Sequence, residues 1–199
     1  MLKVGLTGSI AVGKSGVCEI FRELGVYVLD ADVTARKVVA RGTVGLVRIV
    51  DTFGPLVLTD DGDLDRKKLG SVVFADENKR QILNSIVHPL VIDEQNAWIE
   101  TCQKIEPDGI AIVDAALMIE SGGYLRFDKI VVVWCEPAIQ LQRLILRDSL
   151  TAEEARMRVK AQMPQDEKKK FASFLIDTSD GFEETRRQTI DVYKDLTDQ

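Results

Sequence analysis

The chain has 199 residues, of which 45% are hydrophobic and 29% are charged, so extended disorder and a coiled coil are both disfavoured. A formal net charge of −6 argues against a nucleic-acid-binding protein, which normally carries a basic excess. No apolar run approaches the ~18 residues of a membrane helix, and the N-terminus lacks a signal-peptide pattern, so we expect a cytoplasmic protein.

Short β-branched runs alternate with longer helical stretches, a pattern typical of a parallel sheet covered by helices. The first helix is predicted to begin near Gly13 and to end by Leu24, with Gly25 as its stop. The predicted strands, in chain order, are Leu2–Leu6, Val26–Leu29, Ile110–Val113, Lys129–Trp134 and Phe174–Ile176.

The strand pattern lapses between Asp32 and about Glu106, where apolar residues recur with helical spacing. This stretch is too long for a simple crossover between parallel strands, so we expect a helical insertion at 32–106. The core is then predicted to comprise 1–31, 107–142 and 171–199.

Three cysteines (Cys18, Cys102 and Cys135) lie far apart among apolar residues, which indicates buried free thiols rather than disulfides or a zinc site.

The segment 143–170 reverses the sign of the chain's charge, with eight Lys or Arg against five Asp or Glu. A solvated helix face is the common explanation of such a run. Arg143 and Arg147, spaced i, i+4, share a helix face. Beside a phosphate site, a mobile basic lid would neutralise transferring charge and exclude water, and we predict that role for 143–170.

The strongest motif is Gly8-Ser9-Ile10-Ala11-Val12-Gly13-Lys14-Ser15, which satisfies G-x-x-x-x-G-K-[ST] between a predicted strand and a predicted helix. Glycines let the backbone wrap closely around phosphate, and the helix N-terminus adds positive potential. Lys14 is predicted to meet the β- and γ-phosphates, and Ser15 to hold Mg²⁺. The sequence therefore predicts a nucleotide site.

Acidic residues follow two of the predicted strands. Asp30 and Asp32 come directly after Val26–Leu29, where one is expected to cap the next helix and the other to accept a proton from an acceptor hydroxyl. Asp114 ends the apolar run Ile110–Val113, as in a Walker B strand, and is a predicted Mg²⁺ ligand.

Two further sequence features, a lone histidine and a D-x-x-G match, give weaker indications of function. His88 is the chain's one histidine, so it cannot build a histidine-based metal site, and a structural or substrate-domain role is favoured. Asp51-Thr52-Phe53-Gly54 matches the D-x-x-G of GTPases, but its neighbours have helical spacing and Asn78-Lys79-Arg80-Gln81 lacks the Asp of N-K-x-D. A GTPase switch is therefore discounted.

Taken together, the chain resembles the dephospho-coenzyme A kinase family, a group of P-loop kinases. The Arg66 and His88-Pro89 segments and Gln162 are specific to that family. The resemblance rests on Thr7–Ser15, Asp30-Ala31-Asp32, Leu64-Asp65-Arg66, Leu69-Gly70, Val73-Phe74, Ile86-Val87-His88-Pro89, Asp114–Glu120, Gln140–Asp148, Ala161-Gln162-Met163-Pro164 and Phe171–Ser179.

The resemblance implies a P-loop α/β fold and ATP-dependent phosphorylation of the ribose 3′-hydroxyl of dephospho-coenzyme A. It implies a catalytic Asp32, an acceptor-binding insertion with Arg66 and His88, and a lid that supplies a catalytic Arg143. The residues implied to bind the nucleotide are Gly8, Ala11, Val12, Gly13, Lys14, Ser15, Gly16 and Arg147.

The chain departs from the family pattern at several positions. Ala11-Val12 replaces Gly-Ser or Gly-Thr, and Gly16 stands where Thr is common. Ala116 replaces a proline, and Thr178-Ser179-Asp180 replaces Asn-Ser-Gly. Because backbone N–H groups bind the phosphates, the loop substitutions are compatible with phosphate binding.

Two alternatives remain open from the residues alone. One is a kinase of the same fold for a nucleoside, a nucleoside monophosphate or a small sugar acid. The other is a nucleotide-binding regulatory module that hydrolyses or senses ATP. A nucleic-acid-dependent ATPase fits least, given the net charge of −6.

Overall fold

The computed structural model describes residues 1–74 and 76–198; Ala75, in the predicted insertion, and Gln199, in the predicted core, lie outside the described residues. The chain divides into two compact units. Unit 1 is Met1–Leu29 with the chain from Cys102 onwards, and unit 2 is Asp30–Thr101. The predicted insertion at 32–106 overlaps unit 2, while the division of the remaining chain into core and lid stays a prediction.

The described residues form five strands, nine α-helices and two short 3-10 turns. The strands are β1 (Leu2–Thr7), β2 (Tyr27–Asp30), β3 (Ile110–Asp114), β4 (Lys129–Trp134) and β5 (Phe174–Asp177). The helices are α1 (Lys14–Glu23), α2 (Ala31–Lys37), α3 (Val44–Phe53), α4 (Arg66–Phe74), α5 (Glu77–Ile105), α6 (Pro137–Asp148), α7 (Ala152–Lys160), α8 (Gln165–Lys169) and α9 (Phe182–Thr197), and the 3-10 turns are Pro55–Val57 and Gly123–Arg126.

The strands form one sheet in the order β2-β3-β1-β4-β5, and β1 is parallel to both β3 and β4. The predicted helix-flanked parallel sheet is confirmed, and each predicted strand agrees with an observed one to within one residue at either end. The strand order reverses at β1, which is where ligands bind in open sheets of this kind. The loop carrying the glycine motif follows β1 directly.

Apolar side chains cover both faces of the sheet in unit 1. On one face, Val4 and Leu6 of β1 pack with Phe21 of α1 and Val192 of α9, all of them buried. On the other face, Ile130 and Val132 of β4 pack with Met118 and Ile119, which follow β3, and with Met163 and Ala172. Burial on both faces explains why the central strands are almost wholly apolar.

Unit 2 has a hydrophobic core of its own. Val39, Ile49, Val57, Leu69 and Val73 are buried together, and Leu83, Ile86 and Val87 of α5 pack against them. In the chain that the structure describes, no helix has the long apolar stretch that crossing a membrane requires.

Two glycines inside helices of unit 2 should respond to alanine in opposite ways. A Cβ at Gly45 of α3 would lie 2.1 Å from the backbone oxygen of Val38, whereas one at Gly70 of α4 would lie 3.5 Å from the Phe74 ring. We expect Gly45→Ala to destabilise the protein by about 1–3 kcal/mol through overpacking. Gly70→Ala should stabilise it by about 1 kcal/mol, because alanine favours the helix. Denaturant unfolding of both variants measures the difference, and equal signs would contradict it.

The first turn of α9 predicts a dependence of stability on acid pH. Hydrogen bonds from Arg187, and then from Gln188, lower the pKa of Glu184 from 4.5 to about 2. Since the folded pKa lies below the unfolded one, this contribution is complete above pH 4.5 and is lost as the pH falls toward 2. In the Glu184→Gln variant, the midpoint of thermal unfolding should therefore decrease less than in the wild type as the pH falls from 4.5 toward 2. Glu183→Gln, one residue earlier, is the matched control, and equal effects of the two would refute the assignment.

Candidate active site

The loop between β1 and α1 has the backbone shape of an anion-binding nest. Ala11 and Gly13 have positive φ angles of 61° and 89°. A Cβ at Gly8 would lie 2.3 Å from the carbonyl oxygen of Val133, so β4 leaves no room there for a side chain. Alternating backbone conformations of this kind turn successive N–H groups toward one concavity. The N-terminus of α1 adds positive potential to the same concavity.

The loop ends in the first turn of α1. Gly13 is the N-cap of this helix, and Lys14, Ser15 and Gly16 follow it; Lys14 is half-buried and Ser15 is exposed. A Cβ at Gly16 would meet no atom within 4 Å, so the threonine common in the resembled family would fit there. The predicted start of the first helix is confirmed.

Asp114 lies beside this turn. It ends β3 opposite Leu6 of β1, and its Oδ2 accepts a hydrogen bond from the Sγ of Cys18 at 3.6 Å. Burial, and then the charge of Asp114, raises the pKa of the Cys18 thiol, which keeps it protonated. Ser15 precedes Cys18 by three residues on α1 and therefore shares the helix face that meets Asp114. The hydroxyl and the carboxylate are hard oxygen donors of the kind that Mg²⁺ prefers.

Arg143 is fixed in the body of α6. Its Nη1 donates to Oγ1 of Thr178, and its Nη2 donates to the carbonyl oxygen of Thr178, both at 2.7 Å. The Thr178 hydroxyl in turn donates to the carbonyl oxygen of Val12 at 2.8 Å. A Cβ at Gly13 would lie 3.5 Å from the Arg143 guanidinium. The structure therefore brings Arg143 to the glycine loop.

Arg147 is exposed near the end of α6 and binds its neighbour. Its Nε donates to Asp148 at 2.8 Å, and Arg158 of α7 donates to the same carboxylate at 2.7 Å. Hydrogen bonding to Asp148 raises the pKa of Arg147, while Arg147 and Arg158 lower the pKa of Asp148. Within 143–170, all of which the structure describes, six of the eight basic side chains bind groups of unit 1: Arg143, Arg147, Arg158, Lys168, Lys169 and Lys170.

Lys168 is a functional candidate that the sequence pattern did not single out. Its side chain is 0% exposed and donates to Glu120 at 2.9 Å and to the carbonyl oxygen of Ala116 at 2.7 Å. Burial lowers the pKa of this ammonium, and the Glu120 carboxylate opposes that shift. The pair ties α8 to the segment that follows Asp114. Sequence alone cannot distinguish the buried Lys168 from Lys169 and Lys170, which follow it directly.

Two glutamines hold the glycine loop at Ile10. The backbone N–H of Ile10 donates to Gln162 Oε1 at 2.7 Å, and Gln140 Nε2 donates to the carbonyl oxygen of Ile10 at 2.8 Å. Gln140 and Leu144 are the buried residues of α6. In the sequence, the sign of this role was a glutamine, Gln140, placed among the apolar residues of a helix. That placement indicates a buried polar side chain, but it does not indicate that the side chain binds Ile10.

The four remaining predicted residues belong to unit 2. Asp30 caps α2 by accepting hydrogen bonds from the N–H groups of Asp32 and Val33 at 2.7 and 3.1 Å, so the expectation that one acid caps this helix is confirmed. Asp32 is exposed in the first turn of α2. Arg66, at the start of α4, donates to the carbonyl oxygen of Arg36 on α2 at 3.5 Å, while His88 is exposed on α5.

Comparison with known proteins agrees with this geometry. The family model described as "Dephospho-CoA kinase" matches residues 2–184. A relative named dephospho-CoA kinase, from Listeria innocua, is 43% identical over 191 residues, covering 94% of this chain and 93% of its own.

Solved structures agree as well. A Thermus thermophilus protein has a TM-score of 0.83 at 27% identity, with 98% of this chain and 96% of its own covered. The dephospho-CoA kinase from Campylobacter jejuni has a TM-score of 0.66 at 26% identity, with 99% of this chain and 98% of its own covered. Since the family model spans nearly the whole sequence and the relatives match it end to end, the chain belongs to the dephospho-CoA kinase family.

Proposed function

We propose that the protein transfers the γ-phosphoryl group of ATP to the ribose 3′-hydroxyl of dephospho-coenzyme A, giving coenzyme A and ADP. The observation that carries the proposal is the anion-binding loop with positive φ at Ala11 and Gly13, leading into α1, in a chain of this family. Phosphoryl transfer depends on positioning and on neutralising charge, which is what such a loop supplies.

On the ATP side, the phosphates bind the N–H groups of residues 11–16, and Gly8 allows the loop to lie close to β4. Lys14 contacts the β- and γ-phosphates. Arg143, already directed at the loop by Thr178, stabilises charge on the transferring group. Ser15 and Asp114 would hold Mg²⁺, which would supply positive charge beside the phosphate oxygens.

On the acceptor side, Asp32 accepts the proton of the ribose hydroxyl. The hydroxyl oxygen forms the new bond to the γ-phosphorus, and the bond from that phosphorus to the oxygen bridging it to the β-phosphate breaks. Exposure of the Asp32 carboxylate leaves it accessible to an acceptor, whereas Asp30 is engaged as a cap. Unit 2 binds the acceptor, with contributions from Arg66 and His88.

The segment 143–170 acts as the lid, with Arg147 binding the nucleotide. Support comes from its two arginines on α6 and from its docking on the glycine loop through Gln162. To bind phosphate, Arg147 must first leave Asp148, to which it is hydrogen-bonded in the structure.

The three buried free thiols, at Cys18, Cys102 and Cys135, suit a reducing compartment, and we place the protein in the cytoplasm.

The acceptor is tested by measuring ADP release from Mg-ATP with dephospho-coenzyme A, adenosine, AMP or no acceptor. We expect release to depend on dephospho-coenzyme A, and the product to gain the mass of one phosphate. Release with adenosine or AMP instead would assign the chain to a kinase for another acceptor. Release at the same rate without an acceptor would identify an ATPase and overturn the proposal.

The acids Asp30, at the end of β2, and Asp32, in α2, offer a matched pair of variants. Asn caps a helix about as well as Asp, so Asp30→Asn should keep most of the turnover. Asp32→Asn removes the proton acceptor and should lower kcat by roughly 10²–10⁴-fold, with little change in KM for ATP. Steady-state kinetics at saturating acceptor separates the two. Near-normal turnover of Asp32→Asn would show that another group takes the proton.

A further inference from the structure

The glycine loop has carbonyl groups as well as N–H groups, and the two are geometrically linked. In a trans peptide the C=O of one residue and the N–H of the next point in opposite directions. A partner that holds one carbonyl therefore also aims the following N–H. Side chains of unit 1 hold two carbonyls of the loop: Gln140 binds that of Ile10 and Thr178 binds that of Val12, each at 2.8 Å.

The N–H groups aimed by these contacts belong to Ala11 and Gly13, whose φ angles of 61° and 89° lie in the left-handed region. For alanine this left-handed conformation costs roughly 1–2 kcal/mol, so the loop needs outside contacts to keep it. Gln140 acts on the peptide bond between Ile10 and Ala11, at the N-terminal side of the strained residue. Thr178 acts on the bond between Val12 and Gly13, two residues later.

Both side chains are themselves held in place. Gln140 is 2% exposed, and its Oε1 accepts a hydrogen bond from Gln165 Nε2 at 3.0 Å. Gln165 also binds the backbone N–H and C=O of Cys135, each at 3.1 Å, which anchors it to the end of β4. Thr178 is 3% exposed and accepts a hydrogen bond from Arg143. Since these partners hold both side chains in place, neither can turn away from its loop carbonyl without breaking this network.

One helix connects the two contacts. Gln140 and Arg143 are three residues apart on α6 and so share a face. Gln140 reaches Ile10 directly, and Arg143 reaches Val12 through Thr178. A single face of α6 thus sets the orientation of two peptide groups of the loop.

We infer that Gln140 and Thr178 are positioning residues for nucleotide phosphate: by holding the carbonyls of Ile10 and Val12, they aim the N–H groups of Ala11 and Gly13 into the phosphate site. The inference rests on the proposed function only in taking the glycine loop as that site. It gives Thr178, which departs from the family pattern, a role through its hydroxyl.

The first test compares the affinities of Gln140→Glu and the wild type for Mg-ADP and for adenosine, without an acceptor. Near pH 8 the new carboxylate has no hydrogen to donate to Ile10, and we expect ADP affinity to fall roughly 10- to 100-fold, because the Ile10 carbonyl loses its partner and the added negative charge opposes the phosphates. Adenosine has no phosphate, so its affinity should stay within about twofold. Equal losses for both ligands, or no loss for ADP, would overturn the inference.

The same variant provides a pH signature. A protonated Glu at 140 can donate to Ile10 and still accept from Gln165, so ADP affinity relative to wild type should recover as the pH falls. Burial raises the pKa of such a carboxyl group and brings the recovery into an accessible range. Of the charged groups nearby, Asp166 and Lys169 of α8 line the same cleft as Gln140, and Arg143 lies three residues along α6, where it binds Thr178. A ratio that does not change with pH would contradict the donor role.

The second test uses the hydroxyl of Thr178. Thr178→Val keeps the shape but removes the donor, and we expect a similar selective loss of ADP affinity. Thr178→Ser keeps the hydroxyl and should restore affinity to within about twofold of wild type. Thr189→Val, at a buried threonine that donates to the carbonyl oxygen of Thr185 in α9, is the matched control. Loss in Thr178→Ser equal to that in Thr178→Val would show that packing alone matters. Since no acceptor is present, failure of the acceptor assignment would leave both tests intact.

Discussion

The pairing of β1 between β3 and β4 is the constraint on which the candidate site of unit 1 depends. Parallel register places Asp114 opposite Leu6 and brings the end of β4 alongside the start of the glycine loop. Because strands of a parallel sheet end at the same edge, groups that are more than 100 residues apart in sequence meet there. The close approach of Gly8 to Val133 shows how tightly this edge is packed. This close approach explains why position 8 has no side chain.

Polar side chains, in addition to the buried Val12, join the glycine loop to the chain around it. Gln140, Gln162, Gln165 and Thr178 each bind backbone groups, and three of these contacts reach the loop itself. Buried polar groups of this kind are costly unless all their partners are in place, so the network favours one arrangement of the loop. A loop held in advance loses less conformational entropy when a ligand binds.

Most basic side chains of the segment 143–170 are bound to other groups of the protein, although its composition indicates free positive charge. The excess of basic residues predicts a positive surface, yet most of these side chains already bind acids, backbone oxygens or the Trp134 ring. Lys168 is buried and holds Glu120 and Ala116 in the segment after β3. Exposed pairs such as Arg147 with Asp148 are weak and can exchange partners, whereas the buried ammonium of Lys168 is costly to leave without its partner Glu120. Arg147 can therefore leave Asp148 for a ligand, whereas Lys168 stays with Glu120 in the folded protein.

The sequence alone determined the parallel sheet, the glycine loop and the first helix, because these depend on local periodicity and on a contiguous motif. It also indicated the family, through the resemblance of an ordered set of segments along the chain. It also indicated that one of Asp30 and Asp32 caps a helix, but not which, since both residues precede helical sequence; the structure assigns the cap to Asp30. The roles of Asp32, Arg66 and His88 remain predictions. Only the tertiary structure decided that Gln140, Gln162 and Thr178 hold the loop and that Lys168 is the buried lysine of three. Hydrogen bonds between residues 130 to 166 positions apart leave no periodic trace in a single sequence, so folding has to bring the partners together before they can be recognised.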